Sequence, residues 1–225
     1  MASRVVACGA GPCRVAHVTP SVGKMIQRST VAPVMSTDTL IESPAAPNEL
    51  ADQLAIDAQA ADRLFRDAHT THAFSDEPVT DTQIQAAWDL VRWAPTAMNT
   101  LPLRLLVVRT PEAKQRLGAH MADFNRDKTL AAPVTVVAAA DPSFHQHLGT
   151  LAPFREGMTE QLDPQTELRE GMARTNALIQ IGYLIVGLRA AGLSVGPMTG
   201  FDAAGIDAEF FGESGWRTLV AINVG

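Results

Sequence analysis

Residues 133–140 (PVTVVAAA) form a run that is almost entirely apolar and carries no charge. A valine-rich run of this length predicts a β-strand. Because such a strand has no polar face to turn toward water, it must be covered on both sides and lie in the middle of a sheet. The segment therefore predicts a central sheet with other elements packed against both of its faces.

The rest of the chain supplies strands and helices that alternate without a strict βαβ repeat. Branched aliphatic residues predict three further strands, at 103–109, 194–198 and 218–224. Apolar residues at helical spacing predict helices at 49–68, 80–94 and 167–191, another that begins at Thr110, and a last one at 202–211. Residues 142–165 are predicted to be irregular. We expect an α+β fold with a central mixed sheet flanked by helices.

Local signals place the ends of three helices. Thr80 and Gln83 have the spacing of a capping box, and Pro95 ends the same helix. Thr110 precedes a proline, which is typical of a helix N-cap. Gly192 is placed to end the long helix before it.

The helix over residues 167–191 is the longest in the sequence and is apolar around much of its circumference. Leu178, Ile181, Ile185 and Leu188 share one face, and further apolar residues lie outside it. A helix that is apolar on most sides is buried in a core or in a subunit interface.

The first 37 residues differ in charge from the rest of the chain. They hold four basic residues and no acid, whereas 24 acids and 14 bases follow. A targeting segment has such a composition, but this stretch lacks an amphipathic repeat, so we favour an upstream extension with Met35 as the true start. We expect residues 1–50 to be a disordered basic extension and linker, and residues 51–225 to form the folded domain.

Composition excludes several classes of function. The formal net charge is -6, which gives no basic surface for nucleic acid or anionic membranes. The sequence contains no apolar run long enough to span a bilayer. Both cysteines lie within the first 13 residues, so we expect a cytoplasmic protein without a disulfide framework.

The motifs for nucleotide and hydrolase chemistry are missing from the sequence. There is no phosphate-binding loop, no G-x-G-x-x-G after a strand and no G-x-S-x-G. His145 and His147 form an isolated H-x-H pair, which we interpret as part of a solvated loop rather than as metal ligands. Four polar breaks remain: HTTHAF, PTAMN, FNRDK and GPMTGFD. They offer amides, hydroxyls and scattered cations, which suit a bound cofactor that carries the reaction.

Five segments in order give a specific resemblance: HTTHAFSDEPV, WAPTAMNTLPLRLLVV, FNRDKTLAAPVTVV, GLSVGPMTGFD and LVAINVG. Together they resemble the FMN-dependent nitroreductase superfamily over about residues 60–225. GPMTGFD and KTLAAPV are similar to its malonic semialdehyde reductase branch. The resemblance implies a nitroreductase-like fold, a homodimer with FMN at the interface, and NADH or NADPH as hydride donor.

The resemblance also assigns cofactor-binding residues, and no protein side chain is expected to act as a catalytic group. His69, Thr70, Thr71 and His72 match the first segment, which contacts the FMN phosphate and ring. Pro95, Thr96, Ala97 and Asn99 match a flavin-contact turn that the partner subunit normally contributes. Asn125 matches an amide at the isoalloxazine edge, and Lys128 matches a cation near flavin N1 and O2. Pro197, Thr199 and Gly200 match the stretch that passes beside flavin N5.

Two features depart from the family pattern. The arginines common around the first segment are replaced by His69 and His72, which predicts a weaker, pH-sensitive grip on the phosphate. The match also ends at AINVG, where the family normally continues with a C-terminal tail that carries a basic residue to the phosphate. Arg104 and Arg155 could contact an anion, but we interpret them as solvated surface residues.

These features predict an FMN-dependent oxidoreductase that uses NAD(P)H to reduce a small acceptor. The branch resemblance implies a 3-oxo acid such as malonic semialdehyde, which would be reduced to 3-hydroxypropionate. A nitroaromatic or quinone acceptor is the alternative within the same class. From another class, the alternative is a flavin-binding protein or truncated scaffold without turnover.

Overall fold

A computed structural model describes residues 53–225 and the backbone of two strands near the N-terminus, β1 (Arg4–Cys8) and β2 (Arg14–His17). The other strands are β3 (Leu103–Val108), β4 (Val134–Ala140), β5 (Val195–Met198) and β6 (Arg217–Val224). They form one sheet in the order β2-β1-β3-β4-β6-β5. Strand β1 is parallel to β3 and every other pair is antiparallel, which confirms the predicted mixed sheet.

The prediction that residues 133–140 form a central strand is confirmed. Strand β4 lies between β3 and β6, and every residue of β3 and β4 is buried. Their alternating side chains enter two separate cores, one on each face of the sheet. Burial of both faces explains why β4 has no polar face in its sequence.

Eight α-helices surround the sheet in the described part of the chain: α1 (Ala58–Ala61), α2 (Asp81–Val91), α3 (Pro111–Gly118), α4 (Asp123–Ala131), α5 (Leu148–Leu151), α6 (Met158–Leu162), α7 (Thr166–Ala190) and α8 (Ala203–Phe210). Helices α2 and α7 contribute to the core on one face, whereas α3 and α8 contribute to the core on the other. The domain is therefore an α+β fold with helices on both sides of a mixed sheet, as predicted.

Three of the predicted helix ends agree with the structure, whereas α2 ends at Val91, before its predicted end at Pro95. The Thr80 hydroxyl accepts the Gln83 N–H while the Gln83 side chain accepts the Thr80 N–H, a complete capping box. The Thr110 hydroxyl accepts the Ala113 N–H at the start of α3. Gly192 follows α7 with φ +82°, the left-handed conformation that a glycine end cap adopts.

Three predictions about local structure were wrong in part. The FNRDK segment is helical and lies within α4 rather than in a polar break. Residues 142–165 contain a 3₁₀ turn (Phe144–His147) and helices α5 and α6. The predicted helix 49–68 is reduced to α1 and a π-helical turn (Asp62–Arg66), and residues 53–57 are not helical. Short polar helices such as α4 have weak periodicity, so their packing partners decide their conformation.

Helix α7 divides into a buried and an exposed apolar face. Ile181, Leu184 and Leu188 are buried against the sheet. Leu178, which was predicted to share their face, is 42% exposed, and Ile179 and Tyr183 are exposed beside it. The expectation that this helix is buried in a core is therefore confirmed for one of its faces only. The other face is apolar and open.

One loop segment pairs directly with the edge strand β5. The Thr71 N–H donates to Val195 O at 2.9 Å. A Cβ built on Gly196 would lie 2.5 Å from Thr71 O, so the two backbones approach more closely than a side chain at 196 permits. This contact fixes the segment around residues 69–72 against the sheet.

The division of the chain at residue 50 stays a prediction. Apart from the two strands, the predicted extension lies outside the described residues. Within the described residues, no helix is long and apolar enough to cross a bilayer.

We expect Gly196→Ala to destabilise the domain by about 1–3 kcal/mol, because the new methyl group must displace the Thr71 carbonyl. Urea unfolding followed by circular dichroism measures the change. Gly171→Ala in α7 is the matched control, because a Cβ there meets nothing within 4 Å and the helix gains propensity. Equal stability of the two variants would contradict the close contact.

Candidate functional site

A cleft of about 370 Å³ opens along the edge strand β5. Three parts of the chain meet there: the loop that pairs with β5, helix α4, and the end of β5 with the turn after it. The lining residues are Thr70, Thr71, His72, Phe124, Asn125, Lys128, Gly196, Pro197, Met198, Thr199, Gly200 and Asn223. Eight of the thirteen residues predicted to bind a cofactor are among them.

Gly200 lies at the closest approach between α4 and the turn after β5. The Asn125 side chain is 4% exposed and donates from Nδ2 to Gly200 O at 3.0 Å. The Ala122 N–H donates to the same carbonyl at 3.0 Å. A Cβ on residue 200 would lie 2.7 Å from Asn125 Nδ2 and 2.8 Å from Phe124 Cζ. The glycine therefore lets the Asn125 and Phe124 side chains pack directly against the backbone of this turn.

Among residues 53–225, Lys128 is the only lysine or arginine that lines this cleft, and no Asp or Glu lines it. It follows Asn125 by three residues on α4, so both side chains lie on the same face of the helix. Within the described residues it has no ion-pair partner. The ammonium group can therefore interact with negative charge that develops on a ligand in the cleft.

Helix α4 is anchored at its C-terminal end by Lys114. The Lys114 ammonium donates to the carbonyls of Leu130 and Ala132, which lie at the end of α4. Burial lowers the pKa of Lys114 from its ordinary value. This contact helps fix the position of the helix that carries Asn125 and Lys128.

Asn223 and Phe124 line the cleft but were not among the predicted site residues. Asn223 is buried in β6, where its Oδ1 accepts the Thr135 hydroxyl at 2.8 Å. An amide within the apolar run TLVAINV was the signal that could have identified it. Phe124 is 70% exposed at the mouth of the cleft, and it directly precedes the predicted Asn125.

His69 lies in a second cleft of about 270 Å³, together with Arg63 and Arg189. Thr71 lines both clefts. We predicted from the sequence that histidines replace the arginines of the first segment, because HTTHAF contains no arginine. The prediction was incomplete, because the π-helical turn and the last turn of α7 bring two arginines into the same cleft as His69.

The turn that contains Pro95, Thr96, Ala97 and Asn99 lines neither cleft. Its polar groups bind within the chain: Asn99 Nδ2 donates to Leu151 O, and the Ala97 N–H donates to Asn176 Oδ1. Asn99 itself has φ +54°, a left-handed conformation. The expected contact of this turn with a flavin of the partner subunit stays a prediction.

The interpretation of the H-x-H pair as part of a solvated loop was wrong for His145, which lies in the 3₁₀ turn Phe144–His147. His145 is buried, and its Nε2 lies 3.1 Å from Asp163 Oδ1. No cluster of metal-ligating side chains occurs in residues 53–225. Arg104 was interpreted as a solvated residue, and this was wrong: it is 8% exposed and forms a buried ion pair with Asp141 at 2.8 Å.

Known proteins with similar sequences share one name. A protein of Streptomyces coelicolor is 48% identical over 172 residues, which cover 76% of this chain and 87% of the relative. A protein of Leptothrix cholodnii is 43% identical over 171 residues, with 76% and 87% covered. Both carry the provisional name NADH dehydrogenase/NAD(P)H nitroreductase.

Solved structures share the fold at low sequence identity. A nitroreductase family protein of Streptococcus pneumoniae superposes with a TM-score of 0.62 at 22% identity, covering 72% of this chain and 88% of the other. A protein of Exiguobacterium sibiricum, solved in complex with FMN, gives 0.61 at 17% identity, with 77% and 89% covered. The family profile described as the nitroreductase family matches residues 65–225. Because this profile and the sequence relatives both match most of the chain, the chain belongs to the nitroreductase family.

Proposed function

We propose that the cleft along β5 binds FMN and that the protein transfers hydride from NADH or NADPH to a small acceptor. FMN, when bound, supplies the N5 atom that accepts the hydride and passes it on. The names of the relatives, which describe NAD(P)H nitroreductases, support this class of reaction. The single observation that carries the proposal is the wall formed by Gly200, Asn125 and Lys128.

The residues of the cleft fit a planar ring with polar edges. The missing Cβ at Gly200 lets Asn125 and Phe124 pack directly against the backbone of the turn, which brings an amide and an aromatic ring to the wall of the cleft. Asn125 donates one amide hydrogen to Gly200 O, so its other hydrogen and its carbonyl oxygen are available to a ligand edge. No carboxylate among the lining residues repels an electron-rich ring.

The residues of this chain orient the cofactor and stabilise charge. Lys128 would place a positive charge near the part of the ring that gains negative charge on reduction. The backbone N–H groups of Thr199 and Gly200 would donate to the ring and help to hold it in place. No nucleophile or general base of the protein is required.

We further propose that the protein is a cytoplasmic homodimer. The open apolar face of α7, with Leu178, Ile179 and Tyr183, is the kind of surface that a second copy covers. Residues 95–99 connect to the same helix through Asn176, so a partner that packs on α7 lies near this turn. The turn would then complete the flavin site of the other subunit.

We propose two classes of acceptor. A 3-oxo acid such as malonic semialdehyde follows from the similarity of GPMTGFD to that branch, and Lys128 is the cation available in the cleft for its carboxylate. A nitroaromatic acceptor follows from the names of the relatives, and a quinone is a second flat acceptor that would suit the exposed ring of Phe124.

Reconstitution tests the proposal. We expect the full chain, incubated with FMN and desalted, to retain flavin absorbance and to oxidise NADH or NADPH when an acceptor is added. Malonic semialdehyde, a nitroaromatic and a quinone are compared at equal concentrations. Protein that stays colourless and binds no added FMN would show that the cleft is not a flavin site. Flavin binding without oxidation of either nucleotide would favour a non-catalytic flavin protein.

Lys128→Met should lower the midpoint potential of bound FMN by about 30–60 mV, because the reduced ring loses a nearby positive charge. Potentiometric titration followed by flavin absorbance measures the change. Lys128→Arg keeps the charge and should restore most of the potential. An unchanged potential in Lys128→Met would place the lysine away from the ring.

Ile179→Asp should convert the dimer into a monomer, because a carboxylate in a closed apolar interface is strongly unfavourable. Analytical ultracentrifugation measures the mass of the variant. Ala204→Asp on α8 adds the same charge to an exposed position of another helix and should leave the dimer intact. A wild-type monomer would contradict the proposed interface.

A further inference from the structure

A buried amide lies on the sheet side of the flavin cleft. Asn223 on β6 is 2% exposed, and it pairs with Thr135 on β4 and with Gly196 on β5. Residues opposite each other in antiparallel strands project from the same face of the sheet. Because Gly196 has no side chain, β5 places no side chain over Asn223 at this position. Asn223 therefore lines the cleft although it is almost completely buried.

The orientation of the Asn223 amide follows from its two contacts. Nδ2 lies 3.8 Å from Met198 Sδ, and a thioether sulfur has no hydrogen to donate, so the amide nitrogen is the donor. The amide oxygen then faces the other way, where it accepts the Thr135 hydroxyl at 2.8 Å. Thr135 is fully buried, so water does not compete for this hydrogen bond. The Thr135 hydroxyl thus holds the amide with its N–H groups toward Met198.

The hydrogen-bonding capacity of this amide is poorly used within the chain. Its nitrogen carries two hydrogens, and a thioether is a weak acceptor. Within residues 53–225, neither hydrogen has an oxygen or nitrogen acceptor. A buried donor without a good acceptor costs free energy, and a ligand that supplies an oxygen or nitrogen atom removes that cost.

The amide is suited to an uncharged acceptor. Asn223 carries no charge, and a buried anion placed against it would lack a compensating cation. Carbonyl oxygens, ring nitrogens and hydroxyl oxygens are the neutral acceptors that a flavin carries on its ring and its ribityl chain. Asn223 therefore differs from Lys128, which can interact with negative charge.

We propose that Asn223 donates an amide hydrogen to the uncharged part of the flavin, and that Thr135 is the positioning residue that keeps the amide in this orientation. The second amide hydrogen remains on Met198 Sδ. The inference rests on the proposed function, because its ligand is the flavin of this cleft.

A set of full-length variants separates the contact with the ligand from a role in folding. Thr135→Val removes the hydroxyl with little change of shape, and Asn223→Leu removes the amide. Each single variant leaves one buried polar group unpaired, whereas the double variant replaces both partners by apolar groups and is the change least costly to the fold. Urea unfolding of each apoprotein verifies the fold.

Thr218→Val is the matched control. It removes a buried hydroxyl from the same strand that carries Asn223, and Thr218 lines neither cleft. Thr135→Ser is the conservative variant, because it keeps the hydroxyl that orients the amide.

Dissociation constants for FMN, riboflavin and lumiflavin are measured by quenching of flavin fluorescence. FMN and riboflavin differ only in the phosphate, whereas lumiflavin has the ring without the ribityl chain. We expect Asn223→Leu and the double variant to raise the constants for FMN and riboflavin by the same factor, about fivefold to tenfold. Thr135→Val should raise both by a smaller factor, and Thr135→Ser should restore them.

Lumiflavin then identifies the acceptor. An equal loss for lumiflavin assigns the acceptor atom to the ring, and unchanged binding of lumiflavin assigns it to the ribityl chain. Either result supports the contact, because both groups belong to the uncharged part of the flavin.

The remaining outcomes separate this inference from the proposed function. Wild-type affinity for riboflavin in the double variant would overturn the contact and leave the flavin cleft intact. A loss for FMN alone would also overturn it, since that places the contact on the phosphate. A comparable loss in Thr218→Val would do the same, because it reports a general effect of removing a buried hydroxyl. A wild-type chain that binds no flavin refutes the proposed function, and this inference with it.

Discussion

Burial of β4 on both faces is the constraint on which the rest of the structure depends. A strand without a polar face requires two cores, and helices have to close each of them. Helices α2 and α7 cover one face, α7 with buried residues between Ala173 and Leu188, whereas α3 and α8 cover the other. In the described part of the sheet, this arrangement leaves β5 at the edge, where its backbone can meet a loop and a ligand.

The candidate site is built from backbone and amide groups more than from reactive side chains. The Thr71–Val195 hydrogen bond and the close packing at Gly196 hold the loop against β5. The Asn125 side chain connects α4 to the turn after β5 by donating a hydrogen bond to Gly200 O. Under the proposed function, such a site would hold the cofactor with backbone and amide groups, and Lys128 would add a positive charge.

Helix α7 connects three features that lie in different places. Asn176 accepts the Ala97 N–H and Gln180 accepts the Leu103 N–H at 3.0 Å, so two buried amides hold the turn before β3. The exposed side of α7 carries the open apolar surface of Leu178, Ile179 and Tyr183, and its last turn carries Arg189. A shift of this helix would therefore act on the turn, the proposed interface and the cleft next to His69 together.

The sequence by itself determined the central strand, the caps at Thr80, Thr110 and Gly192, and the family, because each depends on residues close together in the chain. It also placed Asn125, Lys128 and Gly200 in one site, through the order of the family segments. Only the tertiary structure decided that α4 is a helix, that Arg104 is buried, and that Arg63 and Arg189 meet beside His69. Those outcomes depend on contacts between residues far apart in the chain, and local patterns do not record which distant side chain fills a given space.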